Sequence, residues 1–391
     1  MRSRTVLIAG AGIGGLTASL ALAAKGFRVV VLEQAPRLEE TGAGIQLSPN
    51  AVRVLRALGV AERLAPFVVA PENIRIMSAR RAREIVRLPL GQDAEARYGA
   101  PYWVIHRADL QAVLLAAVRA GPNITLRLGA RVEDHAVHAN GVTVQIGRGG
   151  DDHGLALIGA DGLWSAARKR LAEQKAPRFA RRTAWRATVP ADLVAPAFRE
   201  PATWLWLGPD THLVHYPVTA GIAVNIVAIM RDDWQAPDWS AVGVRDDLLK
   251  RYAGWNKRAR DLLAVPDTWL KWALHDRPPR CFSGNGPVTL IGDAAHPMLP
   301  FLAQGAAMAI EDAYVLAECL SAAPPDAAAA ALRRYEDERA QRTARVQRAA
   351  TRNSRLFHLK GPAALARNLA LHAMGGQKLR ERYDWLYAWA P

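Results

Sequence analysis

Short apolar runs broken by glycine open the chain. Residues 4–10, RTVLIAG, are followed by a glycine turn, a helix-patterned stretch LTASLALAAKG ending at Gly26, and a second apolar run, FRVVVLE. Uninterrupted apolar strands flanking a helix predict a βαβ unit in a parallel sheet buried on both faces. An amphipathic period over residues 105–120, IHRADLQAVLLAAVRA, closed by Gly121 and Pro122, predicts a helix. The stretch NITLRLGARVEDH to GVTVQI alternates as a pair of hairpin strands would, and residues 155–160 add a short apolar strand running into GADG. From roughly 175 to 285 the pattern changes to tryptophan-rich strands, TWLWLG, HLVHYPV and GIAVNIVAIM, between Pro, Gly and Asp turns. That change predicts a second, mainly antiparallel region. PVTLIGDAA then returns the chain to the first sheet, and the remainder is helical, from Gly305 to about Leu320 and again from about Asp326.

Composition narrows the picture. With 391 residues, half of them apolar and 22% charged, the chain has enough apolar material for two packed cores. The only cysteines, Cys281 and Cys319, match no metal-ligand or CxxC spacing, which fits a reducing, cytoplasmic setting without a disulfide or metal site. The start, MRSRTVLIAGAGIGG, has the basic-then-apolar order of a signal peptide, but its glycines fall at spacings with another use. No stretch reaches the roughly 18 uninterrupted apolar residues of a membrane span. The formal charge of +15 is arginine scattered along the whole chain, which argues against a nucleic-acid site and favours small anionic ligands.

Three glycine sites carry the chemistry. Gly10, Gly12 and Gly15 satisfy GxGxxG, with Gly14 beside the last, a strand before it and a helix after it. The first glycine permits the tight turn, the second lets backbone approach a pyrophosphate, and the third lets helix pack on strand. Glu33 ends the next strand about 20 residues on, where an acid accepts ribose hydroxyls. Gly159-Ala160-Asp161-Gly162 ends another strand, with Asp161 placed to cap the following helix and Ser165 and Arg168 to steady the loop. Gly292-Asp293 ends a third and opens the loop AAHPMLPFLAQG before the helix beginning at Gly305.

These motifs, with GAGIQLSPNA (42–51), HRADL (106–110), GDAAHPMLPFLAQGAAMAIED (292–312) and YDWLY (383–387), resemble the class A flavoprotein monooxygenases, the single-component aromatic hydroxylases. The resemblance spans nearly the whole chain, and is nearest to the subgroup holding salicylate, 3-hydroxybenzoate and 6-hydroxynicotinate hydroxylases. It implies an α/β (α+β) fold: a Rossmann-like FAD-binding domain over 1–174 with a substrate-domain insertion near 70–105, a β-sheet substrate domain over 175–285, and a return to the FAD domain with C-terminal helices over 286–391. It implies FAD as cofactor, NADH or NADPH as a transient reductant, O2 as co-substrate and hydroxylation through a flavin C4a-hydroperoxide. Glu33 would bind the adenosine ribose, Arg107 the phosphates or ribityl chain, Asp293 a ribityl hydroxyl, and Asp161-Gly162 both FAD and NAD(P)H. The N–H groups of Gly305, Ala306 and Ala307 would face the reduced, anionic flavin ring.

HLVHY, residues 212–216, carries two histidines on a strand, so His212, Val214 and Tyr216 share one face and His215 the other. In the hydroxylases resembled here, a His and a Tyr four residues apart point at the substrate, which implies His212 as acceptor of a phenol proton and Tyr216 as its hydrogen-bonding partner. His215 points away, and His106 and His296 read as structural. Gln46, Pro300 and Gln304 are the substrate-contact candidates. At Pro300-Phe301 the chain departs from characterised hydroxybenzoate and hydroxynicotinate members, which carry a polar residue there, so a less polar or larger aromatic fits. Trp185, Trp204 and Trp206 read as core before pocket. Three functions share these motifs: a hydroxylase of a small aromatic acid or phenol, a flavin-dependent reductase or dehydrogenase of a nonaromatic substrate, and an FAD-binding regulator. The long C-terminal helices and the tryptophan-rich sheet offer surfaces for a homodimer.

Overall fold

A computed structural model describes residues 4–38, 43–147, 149–169, 171, 176–235, 240–279 and 284–391; Gly42 and Cys281 lie outside the described residues. Its first sheet has five parallel strands in the order Val288–Leu290, Ala156–Gly159, Thr5–Ala9, Arg28–Glu33, Ile124–Leu128. Thr5–Ala9 sits at the centre and is buried along nearly all its length, as its uninterrupted apolar run requires. The chain leaves it through Gly10, whose φ of +102° is the left-handed conformation that favours glycine. A Cβ on Gly15 would lie 2.0 Å from the Gly10 carbonyl oxygen, so helix Ile13–Ala24 approaches this strand only because that position is bare.

Two predicted elements differ. The residues read as one helix over 105–120 divide into a strand, Trp103–His106, paired antiparallel with Gly44–Leu47, and a helix, Arg107–Ala120, with His106 at its N-cap. The run Trp-Val-Ile favours the pleated conformation, and the partner strand lies far away in sequence. The expected hairpin is also displaced. Ile124–Leu128 joins the parallel sheet beside Arg28–Glu33, because the preceding helix is a crossover returning to that sheet. The antiparallel neighbours are instead Val132–His138 and Gly141–Ile146, extended by Gly150–Gly154, in a separate three-stranded sheet.

The second large sheet has eight strands, in the order Ser240–Gly243, Trp269–Asp276, Arg178–Pro190, Ala223–Arg231, Thr211–Val218, Ala202–Gly208, Asn73–Ser78, Glu84–Pro89. All neighbours are antiparallel except Ala202–Gly208 with Asn73–Ser78, and the last two strands come from the segment near 70–105. Trp185, Trp204 and Trp206 fill one face against Phe198, Leu248, Tyr252 and Leu262, as core and not as pocket.

The helix Gly305–Ser321 lies against Ile13–Ala24 on one side and against the 30-residue helix Ala328–Phe357 on the other. The acid pair in AMAIED is sealed inside that contact. Glu311 accepts from Arg342 at 2.6 Å, Arg339 at 2.7 Å and Asn50 at 2.6 Å, while Asp312 accepts from Arg339 at 2.7 Å and the Gly292 N–H at 3.0 Å and pairs with His296 at 2.6 Å. Burial alone raises the Asp312 carboxyl, but His296 and Arg339 outweigh it and hold it at about 2. His296 is thereby structural, as its place in the motif suggests. Near the end of the chain, Arg53 donates to the carbonyls of Tyr98, Tyr387 and Trp389, and Asp384 accepts from Arg97 and from the Tyr98 hydroxyl at 2.6 Å.

Candidate active site

The nucleotide end is built from strand termini. Gly12 caps helix Ile13–Ala24 with no side chain, and nothing stands within 4 Å of where its Cβ would be, so the first-turn N–H groups open onto free space. Glu33 accepts from the Ala11 N–H at 2.7 Å and the Ala35 N–H at 2.9 Å, tying the glycine loop to the neighbouring strand end. Asp161 accepts from the N–H groups of Ala166 at 2.7 Å and Ala167 at 3.1 Å, the capping role its position predicts, and burial raises its pKa. Arg168 donates to the carbonyls of Ala294 at 2.8 Å and Ala295 at 2.9 Å, joining the second glycine loop to the third.

A cavity of about 370 Å³ runs between these loops and the large sheet. Gly12, Gly14, Gly162, Gly292, Asp293, Gly305 and Ala306 wall it on one side; Gly44, Gln46, Arg107, Arg186, His212 and Tyr216 wall it on the other. Gly10, Gly15, Glu33 and Asp161 lie outside this wall and hold the loops that form it, and Ala307 is fully buried in the core. Asp293 is open to the cavity yet deep within the protein. That depth raises its pKa, against the pull of His296 and Arg107. Two helix N-termini and the guanidinium groups of Arg107 and Arg186 as donors, with the Asp293 carboxylate as acceptor, along a groove lined by glycine and alanine, fit an extended dinucleotide such as FAD.

The second half of the site comes from strand Thr211–Val218, paired with Ala202–Gly208 and Ala223–Arg231. His212, Val214 and Tyr216 face the cavity, and His215 faces the tryptophan core, where it accepts from the Trp206 indole N–H at 3.0 Å. Burial lowers the His215 pKa to about 3. The His212 pKa is also held well below the usual range, by burial first and then by His358 and Arg182. Burial pushes the Tyr216 hydroxyl up, against Arg186 and a hydrogen bond with Gln46, whose Oε1 accepts from Tyr102 at 2.6 Å.

Gln46, His212, Val214, Pro300 and Ala303 also line a larger cavity of about 800 Å³, which extends past Ile74, Leu205 and Phe357 to a mouth flanked by Arg345, Arg348, Arg352 and Arg382. Pro300 thus lies where the two spaces meet, and Phe301 packs on His212 with ring centres 5.1 Å apart. Gln304 is a correction. Its side chain is 1% exposed, donates to the Ser48 hydroxyl at 2.9 Å and accepts from Asn50 at 3.3 Å, so it fastens the helix start and meets neither cavity.

Three residues at this site escaped the motifs. Arg186 lines the smaller cavity with no hydrogen-bond partner for its buried Nε, and burial lowers its pKa. His358 caps the long helix and lies 2.8 Å, Nε2 to Nδ1, from His212; Arg182 Nε donates to its Nδ1 at 3.2 Å. Nothing local marks them, since His358 is 146 residues from its partner. The only available signal was the alternation of Arg178–Pro190, which puts Arg182 and Arg186 on one face.

A family model described as an FAD binding domain matches residues 3–350. The chain is 38% identical to 3-hydroxybenzoate 6-hydroxylase 1 of Aquipseudomonas alcaligenes, over 98% of this chain and 97% of that one. It is 33% identical to 6-hydroxynicotinate 3-monooxygenase of Bordetella bronchiseptica, over 91% and 93%. Among solved structures, a salicylate hydroxylase substrate complex superposes with a TM-score of 0.84 at 27% identity, covering 98% of this chain and 95% of the other. Among the described residues no helix is long and apolar enough to cross a membrane.

Proposed function

The chain belongs to the FAD-binding family of flavin-dependent aromatic monooxygenases, and from that premise we propose that it hydroxylates a small aromatic acid or phenol, of the salicylate and hydroxybenzoate type, with NAD(P)H and O2. One observation carries this reading: His212, Tyr216 and Arg186, whose buried Nε has no hydrogen-bond partner, converge on the same cavity that the two glycine-bearing helix starts open into. A buried guanidinium nitrogen without a hydrogen-bond partner is costly unless a ligand supplies an acceptor, and an aromatic carboxylate or phenolate supplies one.

FAD, when bound, would carry the two electrons of NAD(P)H to O2, so that one oxygen atom goes to the ring and the other leaves as water. The remaining work belongs to the chain. Gly305 and Ala306 present unpaired N–H groups that favour negative charge at the cavity floor. Tyr216, with Gln46 at its hydroxyl, orients the substrate oxygen, and His212 meets the same substrate from one turn of the pleat away. Pro300, Phe301 and Val214 keep the meeting point of the two cavities apolar, which limits water at the reacting ring. The larger cavity leaves room for a substituted ring, in line with the apolar Pro300-Phe301 pair.

The test is NADH and NADPH oxidation by the FAD-loaded protein against salicylate, hydroxybenzoates, hydroxynicotinate and phenols, with product masses recorded. Stimulated oxidation with a product about 16 Da heavier supports the reading. No stimulation by any of them, with FAD bound, rejects it in favour of a nonaromatic substrate or a binding role.

A further inference from the structure

We propose that Arg182 and His358 are positioning residues that hold His212 with its hydrogen on Nε2, so that His212 donates a hydrogen bond to a substrate oxygen instead of taking its proton. The inference rests on the reading above, that an oxygen-bearing aromatic occupies the cavity.

Arg182, His358 and His212 form a chain of donors and acceptors. An arginine is protonated at every accessible pH and its Nε is only ever a donor. Arg182 Nε–H points at His358 Nδ1 at 3.2 Å, so that nitrogen presents its lone pair. A neutral imidazole with a bare Nδ1 carries its hydrogen on Nε2. His358 Nε2 lies 2.8 Å from His212 Nδ1, so His358 is the donor and His212 Nδ1 the acceptor. The hydrogen of His212 is therefore on its own Nε2. That atom has no hydrogen-bond partner among the described residues, and His212 lines both cavities.

Protonation does not rescue a base role. A second proton on His212 would have to enter at Nδ1, against the His358 N–H, beside Arg182, with Phe301 and Phe357 packed on the ring at 5.1 and 5.6 Å. The charged groups that bear on His358 are Arg182, Asp210 and Arg367; the net effect with burial is a pKa lowered to about 3. His215, on the opposite face, uses its Nε2 as an acceptor for Trp206 and takes no part. The substrate oxygen that meets His212 is accordingly an acceptor, in a carboxylate, a phenolate or a phenol hydroxyl, and the hydrogen bond favours the ionised form.

The experiment is nitrogen NMR of the FAD-loaded enzyme labelled with 15N-histidine, the His212 signals being identified by their loss in His212→Gln. The expected result is a directly bonded hydrogen on Nε2 alone, unchanged across about pH 6 to 9. A hydrogen on Nδ1, or titration of His212 within that range, overturns the proposal. Arg182→Met frees His358 to take the other tautomer and turn His212 around. The expected outcome is appearance of the Nδ1–H form and a KM for the acid raised about 10- to 100-fold, with kcat changed less than about threefold. An altered KM without a change of tautomer assigns Arg182 a merely structural role and overturns its part. His212→Gln, which keeps an N–H donor and has no basic nitrogen, should retain about tenfold more kcat/KM than His212→Leu; equal losses contradict the donor role. If no aromatic compound stimulates oxidation while the Nε2–H form is seen, the proposed substrate class fails and the tautomer stands. Turnover together with an Nδ1–H signal has the reverse meaning.

Discussion

The two faces of strand Thr211–Val218 carry histidines that burial treats alike and that differ in what their second ring nitrogen faces. His212 is 2% exposed and His215 not at all, and burial lowers the pKa of both. Trp204 stacks on His215 with ring centres 5.6 Å apart, Phe198 meets its edge at 4.6 Å, and Trp206 bonds its Nε2. His215 Nδ1 is buried with no hydrogen-bond partner among the described residues. His212 likewise has one nitrogen engaged, but its other one faces a cavity. A perturbed pKa therefore marks neither as functional. A nitrogen open to a cavity marks His212 alone.

Substitution separates the two faces most strongly at His212. Replacing it with leucine should lower kcat/KM for the aromatic substrate about 100-fold, while His215→Leu should change it less than about threefold, both measured by substrate-stimulated NAD(P)H oxidation. Comparable losses from the two variants would erase the distinction. Arg186→Met sharpens the cavity side: the KM for an aromatic acid should rise about 30-fold and that for the corresponding uncharged phenol much less, since the guanidinium answers a carboxylate. On the core side, His215→Leu should cost about 2 kcal/mol in a denaturant melt, because the Trp206 N–H is left buried without an acceptor.

Acid provides the smallest and most general test. His212, His215 and His358 all have folded pKa values below that of the unfolded chain, so the unfolded state binds more protons than the native one as pH falls below about 6.5. Stability contributed by keeping them neutral is present above that pH and falls by about 1.4 kcal/mol per pH unit for each fully titrating histidine, until the folded pKa is reached. His215→Leu should make the decline shallower by one such increment, seen as a smaller difference in melting midpoint between about pH 6 and pH 4.5.

Legibility in the sequence follows the range of the forces involved. Gly10, Gly12 and Gly15 are readable because a left-handed turn, an open helix start and a close backbone approach each require the same rare residue within six positions. Asp161 is readable because a cap reaches only to the next turn. The facing of His212 and Tyr216 follows from the two-residue period of any strand. Gln304 was misassigned since a loop glutamine gives no sign that Ser48 and Asn50, more than 250 residues earlier, take both ends of its amide. Ile105 and His106 read as helical because the helix after them lent its period to the end of the strand before it. His358 reaches the site through tertiary packing alone; strand alternation puts Arg182 and Arg186 on one face, but no local pattern says what that face meets.

The edge strand Val288–Leu290 docks on Ala156–Gly159, with the Leu157 N–H donating to the Pro287 carbonyl at 2.9 Å. During synthesis some 130 residues, including most of the eight-stranded sheet, must emerge between those two strands. Through that interval Ala156–Gly159 presents a bare, wholly apolar edge to solvent or to another nascent chain, the kind of edge along which sheets aggregate. Such late, non-local pairing makes folding slow. Recombinant yield should therefore depend on translation speed and chaperone supply more than on the stability of the finished enzyme.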